Sequence, residues 1–103
     1  MKKVLVIGGS GFLGSHVADK LSDNGYQVSI FDIEKSTYLR ADQKMIIGSI
    51  SDNKLLDSSI NGMDIVYHFA GIADIKESTS DPILTMNINV MCTMHIIDLC
   101  VKY

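Results

Sequence analysis

Apolar residues along this chain come in short blocks separated by polar, glycine-bearing stretches. Val4-Leu5-Val6-Ile7 is continuous and apolar rather than alternating, which predicts a strand buried on both faces, as parallel strands are. From Gly11 a helix is expected to about Asn24, with Phe12, Leu13, Val17, Ala18 and Leu21 forming a stripe near the helical period and Gly25 ending it. Gln27–Phe31 reads as a second strand that stops at Asp32. The polar stretch from Asp32 to Lys44 lacks helical period and reads as a loop. Met45-Ile46-Ile47 is a short third strand closed by Gly48. A helix capped by Ser51 or Asp52 then runs to about Ile60, with Gly62 ending it. Ile65-Val66-Tyr67-His68-Phe69 is the fourth strand, turned by Ala70-Gly71. After a polar loop from Ala73 to Asp81, Pro82 suits the first turn of a long helix reaching toward Tyr103.

Strand and helix alternate throughout, so the expected fold is α/β: a partial Rossmann-type, doubly wound parallel sheet with right-handed crossovers and strand order 3-2-1-4. At 103 residues it is one domain at most. The last helix stands apart. Between Ile83 and Val101 its apolar residues cover most of the circumference, so one face covers the sheet and the other calls for further chain or a second subunit. The fourth strand, left as a sheet edge, adds to that expectation of a homo-oligomer, most simply a dimer.

Composition narrows the partners. A net charge of -3 supplies no basic field for nucleic acid or an anionic membrane surface. The 47% hydrophobic share is that of a globular protein. The uninterrupted apolar runs are strand-sized, which predicts no membrane span, and the block after Met1-Lys2-Lys3 is too short for a signal peptide. A cytoplasmic protein is expected. Cys92 and Cys100 fall on one predicted helix roughly 12 Å apart at about 1.5 Å rise per residue, too far to pair, and read as buried reduced thiols. His16, His68 and His95 lack ligand spacing, so no metal site is expected. Asp57, Asp64, Asp74, Glu77 and Asp81 read as solvated acids.

The chemistry concentrates in Gly8-Gly9-Ser10-Gly11-Phe12-Leu13-Gly14, directly after the first strand. Strand, glycine turn, helix and a later acid form a dinucleotide-binding fingerprint, here spaced G-x-x-G-x-x-G. Gly8 permits the tight turn, Gly11 lets the backbone approach a pyrophosphate, and Gly14 allows close helix–strand packing. The amides of Phe12 and Leu13 point the positive helix end at the phosphates. Asp32, followed by Ile33, is placed to accept from the ribose hydroxyls of the adenosine half and to repel a 2′-phosphate, which favours NAD over NADP. Lys35 and Arg40, in the loop beyond, are cations able to oppose that preference.

With these motifs the chain resembles the extended short-chain dehydrogenase/reductases, the NAD-dependent epimerase/dehydratase group, and among them the nucleotide-sugar epimerases. Beyond the glycine motif and Asp32, the resemblance rests on His68-Phe69-Ala70-Gly71, Glu77-Ser78, Asp81-Pro82, and Asn89-Val90 with Thr93. It implies that Phe69, Ala70 and Gly71 line NAD and that Asn89 supports the active site. In the intact enzyme it implies hydride transfer between a sugar carbon and NAD, with a nucleotide sugar as substrate. The family usually has Gly-Asp after the third strand. Here Gly48-Ser49 stands there, leaving Ser49 a weaker hold on the adenine and Ile50 to pack on the ring. Cys92 replaces a family glycine, and Ala73 stands where UDP-galactose-type epimerases generally carry lysine. The family's acid/base pair is Tyr-x-x-x-Lys. None of Tyr26, Tyr38, Tyr67 and Tyr103 has lysine four residues on, so no catalytic residue is named. The expectation is a Rossmann portion over 1–103 that ends before the fifth strand, without the substrate-binding part. The alternatives are a non-catalytic dinucleotide-binding module or a truncated remnant.

Overall fold

The computed structural model describes residues 1–70 and 80–103. Four strands, β1 (Lys3–Ile7), β2 (Gln27–Asp32), β3 (Gln43–Ile47) and β4 (Ile65–His68), form one parallel sheet in the order β3-β2-β1-β4. The predicted order is the observed one. The register sets Ile7 level with Phe31 on one side and His68 on the other, and Asp32 level with Ile47. All four carboxyl ends therefore lie along one rim of the sheet.

Helices cover both faces. On one, α1 (Phe12–Asp23) packs Ala18 over Val4, Val6, Val28 and Ile30. On the other, α2 (Asn53–Ile60) and the last helical segment bury Leu56, Ile60, Cys92, Ile96 and Leu99 against Leu5, Ile7 and Phe31. The alternate residues of β1 thus feed two separate cores, which is why its sequence is apolar without interruption.

The ends of α1 and α2 follow the expected chemistry. Gly25 and Gly62, both at φ +86°, turn the chain after them. Asp52 rather than Ser51 caps α2, its Oδ1 accepting from Leu55 N at 3.2 Å. Asp81 caps α3 (Pro82–Met86) in the same way through Leu84 N at 3.0 Å.

Several expectations are corrected. Phe12 and Leu13 do not join the buried stripe of α1. They are 82% and 60% exposed, because Gly14 and Ser15 occupy the inward side of the first turn. The ring of Phe12 packs edge-on against His16 with centroids 4.6 Å apart. β3 begins at Gln43, not Met45: the Gln43 amide donates to Asp19 Oδ1 and Ser22 Oγ, so a polar residue is buried there with its partners supplied. The long C-terminal helix is not uniformly α-helical. A π-helical turn, Asn87–Met91, separates α3 from α4 (Cys92–Lys102). Cys92 is buried as expected, but Cys100 is exposed, and both thiols are free. Burial pushes the Cys92 thiol up.

The predicted all-round apolar helix is present, and much of it is uncovered: Ile83, Met86, Val90, Met94, Ile97 and Val101 are exposed. Taken whole, Pro82–Lys102 is long and apolar enough to cross a membrane by length and composition, so the exclusion drawn from short apolar runs does not hold. A core helix of a soluble fold passes the same test. What argues for the latter is the seating of Cys92, Ile96 and Leu99 against the sheet core. The helix end is latched to α2, where the Tyr103 hydroxyl donates to Asp57 at 2.5 Å and Lys102 Nζ lies 3.6 Å from the same carboxylate. Those contacts hold Asp57 below the usual carboxylate range.

Gly8 and Gly25 share a positive φ but not their surroundings. A Cβ on Gly8 would lie 2.7 Å from Ala70 N, while one on Gly25 would meet nothing within 4 Å. Urea unfolding is expected to show Gly25→Ala costing about 1–2 kcal/mol from backbone strain alone. Gly8→Ala should cost roughly 2–5 kcal/mol because overpacking adds to that strain. Equal costs would contradict the packing described.

Candidate cofactor site

The glycine turn sits on the rim where β1 lies between β2 and β4. Strand order reverses there, and open α/β sheets bind ligands in the crevice beyond such a point. Gly8, at φ +81°, donates its amide to Phe31 O at 2.7 Å, and its Cα faces the backbone of Phe69 and Ala70. Gly14 lies so close to Gly8 O and the Gly9 Cα that no Cβ fits. Gly9 presses on Ile30 in the same manner, 2.7 Å from a would-be Cβ to Cγ2. The glycines at 8, 9 and 14 are thus accounted for by internal packing.

Gly11 is different. Among the described residues a Cβ there would meet only Gly8 O, at 3.6 Å, an ordinary contact, so none of them requires glycine at this position. The residue caps α1 with extended backbone (φ -74°, ψ 175°), and no side chain among the described residues caps the helix. An open surface, undecorated backbone and the positive end of a twelve-residue helix provide what a pyrophosphate needs. The absence of acidic residues in that first turn leaves the helix end uncompensated.

Asp32 has a second role that the sequence did not disclose. Its Oδ2 accepts from Ser10 N at 3.0 Å and its Oδ1 from Glu34 N at 3.1 Å, while Ser10 Oγ donates to Glu34 O at 2.6 Å. The carboxylate therefore clamps the glycine turn to the end of β2. With one amide on each oxygen it retains lone pairs for ribose hydroxyls. Ile33 beside it is 68% exposed. Arg40 is withdrawn from any phosphate: its guanidinium holds Asp23 at 2.8 Å and Asp42 at 3.3 Å, and the Asp23 contact raises its pKa. Only Lys35 of the two candidate cations is left to oppose the preference for NAD.

Gly48 N donates to Asp32 O at 2.9 Å, which brings the Ser49 turn beside Asp32. Ser49 Oγ shares a 2.7 Å hydrogen bond with Ser51 Oγ and accepts from Ser51 N, so it serves the turn that leads into α2. The Ile50 side chain is 6% exposed and belongs to the core with Phe31 and Leu56. Phe69, 38% exposed, stacks on Tyr67 at 6.2 Å, and Ala70 packs between the Gly8 turn and the core. Gly71 lies outside the described residues, as do Glu77 and Ser78.

Asn89 falls in the π-helical turn, a distortion that helices often carry at functional positions. Its carbonyl accepts from Thr93 Oγ1 at 3.0 Å, and Thr93 Oγ1 in turn lies 2.8 Å from His68 Nε2. Among the described residues no cluster of three or more His, Cys, Asp or Glu is placed to hold a metal.

The sequence profile of the NAD dependent epimerase/dehydratase family matches residues 4–103. The chain belongs to that family. It is similar to the UDP-glucose 4-epimerase of Neisseria meningitidis serogroup B, 36% identical over 102 residues, which cover 87% of this chain and 30% of the relative. Among solved structures it resembles UDP-glucose 4-epimerase of Thermotoga maritima determined with UDP-glucose. That match has a TM-score of 0.90 and 31% identity, and spans 98% of this chain and 34% of that one. UDP-glucose 4-epimerase from Brucella ovis, in complex with NAD, gives a TM-score of 0.87 and 32% identity over 97% of this chain and 32% of that one. The chain spans about a third of the length of these epimerase-family relatives.

Burial lowers the His68 pKa below its ordinary 6.5. A histidine with a depressed folded-state pKa contributes stability that is present above 6.5 and lost as pH falls through the folded value. Between about pH 7 and pH 5 the melting temperature should therefore fall more steeply for the wild type than for His68→Gln, which does not titrate there. Parallel slopes would contradict it.

Proposed function

We propose that this chain is the NAD-binding portion of a nucleotide-sugar epimerase, dehydratase or reductase. One observation carries the reading: Gly11 is a glycine that no contact among the described residues demands, at the amino end of α1, on a turn locked to Asp32. The NAD-bound Brucella relative and the UDP-glucose-bound Thermotoga relative support it.

When bound, the nicotinamide supplies hydride chemistry. This chain's own residues bind and orient. The Phe12 and Leu13 amides face the pyrophosphate, and Asp32 accepts from the ribose hydroxyls beside an exposed Ile33. Ser49 and the Ile50 backbone border the adenine, Phe69 and Ala70 line the cofactor's path, and Asn89 supports the reacting end. The family's Tyr-x-x-x-Lys pair does not occur within these 103 residues, so none of them is assigned proton transfer to and from the sugar.

The exposed stripe Ile83, Val90, Met94, Ile97 and Val101 is the second part of the reading. A run of apolar side chains this long on one helix marks an association surface, and a second copy of the protein is the occupant we assign to it. Two free cysteines agree with a cytoplasmic location.

Calorimetric titration is expected to give binding heat with NAD and at least about tenfold weaker binding with NADP, because Asp32 repels the 2′-phosphate and Arg40 is already paired. Gly11→Val should abolish NAD binding while costing only about 1 kcal/mol in urea unfolding, the loss expected when a branched apolar residue replaces glycine at an N-cap. No heat and no thermal shift at millimolar NAD would overturn the reading. Light scattering should report a dimer that Ile97→Glu converts to a monomer. A monomeric wild-type protein would remove the second copy.

A further inference from the structure

The imidazole of His68 ends a short hydrogen-bond chain whose polarity can be worked out from its partners. The Thr93 hydroxyl donates its only proton to the carbonyl of Asn89, 3.0 Å away. Facing His68 Nε2 at 2.8 Å, Thr93 Oγ1 is left as an acceptor, so Nε2 is the nitrogen that carries hydrogen. A second observation points the same way. Nδ1 is buried without a hydrogen-bond partner, and an N–H there would be a buried donor with nothing to meet. Both select the neutral Nε2–H tautomer.

The two ends of this chain belong to different walls of the candidate site. His68 immediately precedes Phe69 and Ala70, whose backbone lies against Gly8 with no room for a methyl group between them. Asn89 belongs to the π-helical turn that interrupts the last helix. Within that turn Ile88 packs against the sheet core, the other four residues are exposed, and Cys92 Sγ reaches Asn87 Oδ1 at 3.6 Å.

We propose that His68 is a positioning residue: as the Nε2–H tautomer, it fixes the π turn to the cofactor-lining end of β4 through Thr93 Oγ1 and the Asn89 carbonyl. The assignment of these two walls to a cofactor rests on the NAD reading above. The clamp itself does not. An orphaned Nδ1 is a cost the fold carries at this point, and the tie across the site is what it secures.

The test uses the full 103-residue chain labelled with ¹⁵N-histidine. Imidazole ¹⁵N–¹H correlation should show His68 with a protonated Nε2 and an unprotonated Nδ1. Thr93→Val removes the acceptor at nearly constant shape and should lose that single-tautomer signature, while Thr93→Ser should restore it. With NAD, Thr93→Val should bind about tenfold more weakly and Thr93→Ser within about threefold of wild type, the size expected for one hydrogen bond that leaves a buried group unpaired. A protonated Nδ1 in the wild type, or a signature unchanged by Thr93→Val, would overturn the clamp, as would equal NAD affinity in all three proteins. Should Thr93→Val not fold, the wild-type spectrum decides the tautomer alone. If wild type binds no NAD, the cofactor reading fails while the spectra still decide the clamp.

Discussion

The structure hinges on the approach of β4 to Gly8. The backbone at Phe69 and Ala70 comes near enough that a side chain at position 8 would strike it, and the turn there needs a positive φ. From that contact the rest of the rim follows. The turn out of β1 is forced to be tight, α1 begins within a few residues, and Gly14 has to lie against Gly8 and Gly9 for the helix to fold back onto the sheet. Asp32 then fastens the turn from the other side, through Ser10 N. A backbone loop pinned between β4 and β2 is preorganised, so a ligand that meets the first-turn amides of α1 meets donors already in place.

Two cores of different completeness support this rim. Under α1, Val4, Val6, Val28 and Ile30 are sealed, but the same face of β4 ends in a stacked Tyr67–Phe69 pair that is only half covered. Under α2 and α4 the sheet is closed by Leu56, Ile60, Ile96 and Leu99, whereas the far side of the last helix is left apolar and bare. At the rim the glycine turn is pinned from both sides, by the Gly8 amide on Phe31 O and by Asp32 on Ser10 N. Apolar surface is uncovered at β4 and along the last helix, as it is at Phe12, Leu13 and Ile33.

Much of this was legible in the residues. Uninterrupted apolar blocks such as Val4–Ile7 announce parallel strands because both faces of such strands are buried, and the alternation with helices then leaves few topologies. The glycine turn and Asp32 announce the rim because their spacing has few other physical uses. What escaped were features decided by partners distant in sequence. Gln43 enters a strand only because Asp19 and Ser22 receive its amide. Arg40 is neutralised by Asp23, across the sheet edge. Phe12 and Leu13 fit a helical stripe on paper, yet Gly14 must face inward and turns them out. The π turn has no compositional sign at all, and Cys92 in place of a glycine was the nearest hint. His68 shows in the sequence only as part of the His68-Phe69-Ala70-Gly71 motif and as a histidine without ligand spacing, neither of which discloses its bond to Thr93.

The open face at Gly11 and the start of α1 is the surface proposed to receive a dinucleotide. Backbone amide chemical-shift mapping during addition of NAD addresses it residue by residue. The largest shifts are expected at Gly11, Phe12 and Leu13, with a second group at Asp32 and Ile33 and little change on the exposed face of the last helix. Shifts confined to the groove bordered by Val66, Ile97 and Cys100, with the glycine turn silent, would contradict it.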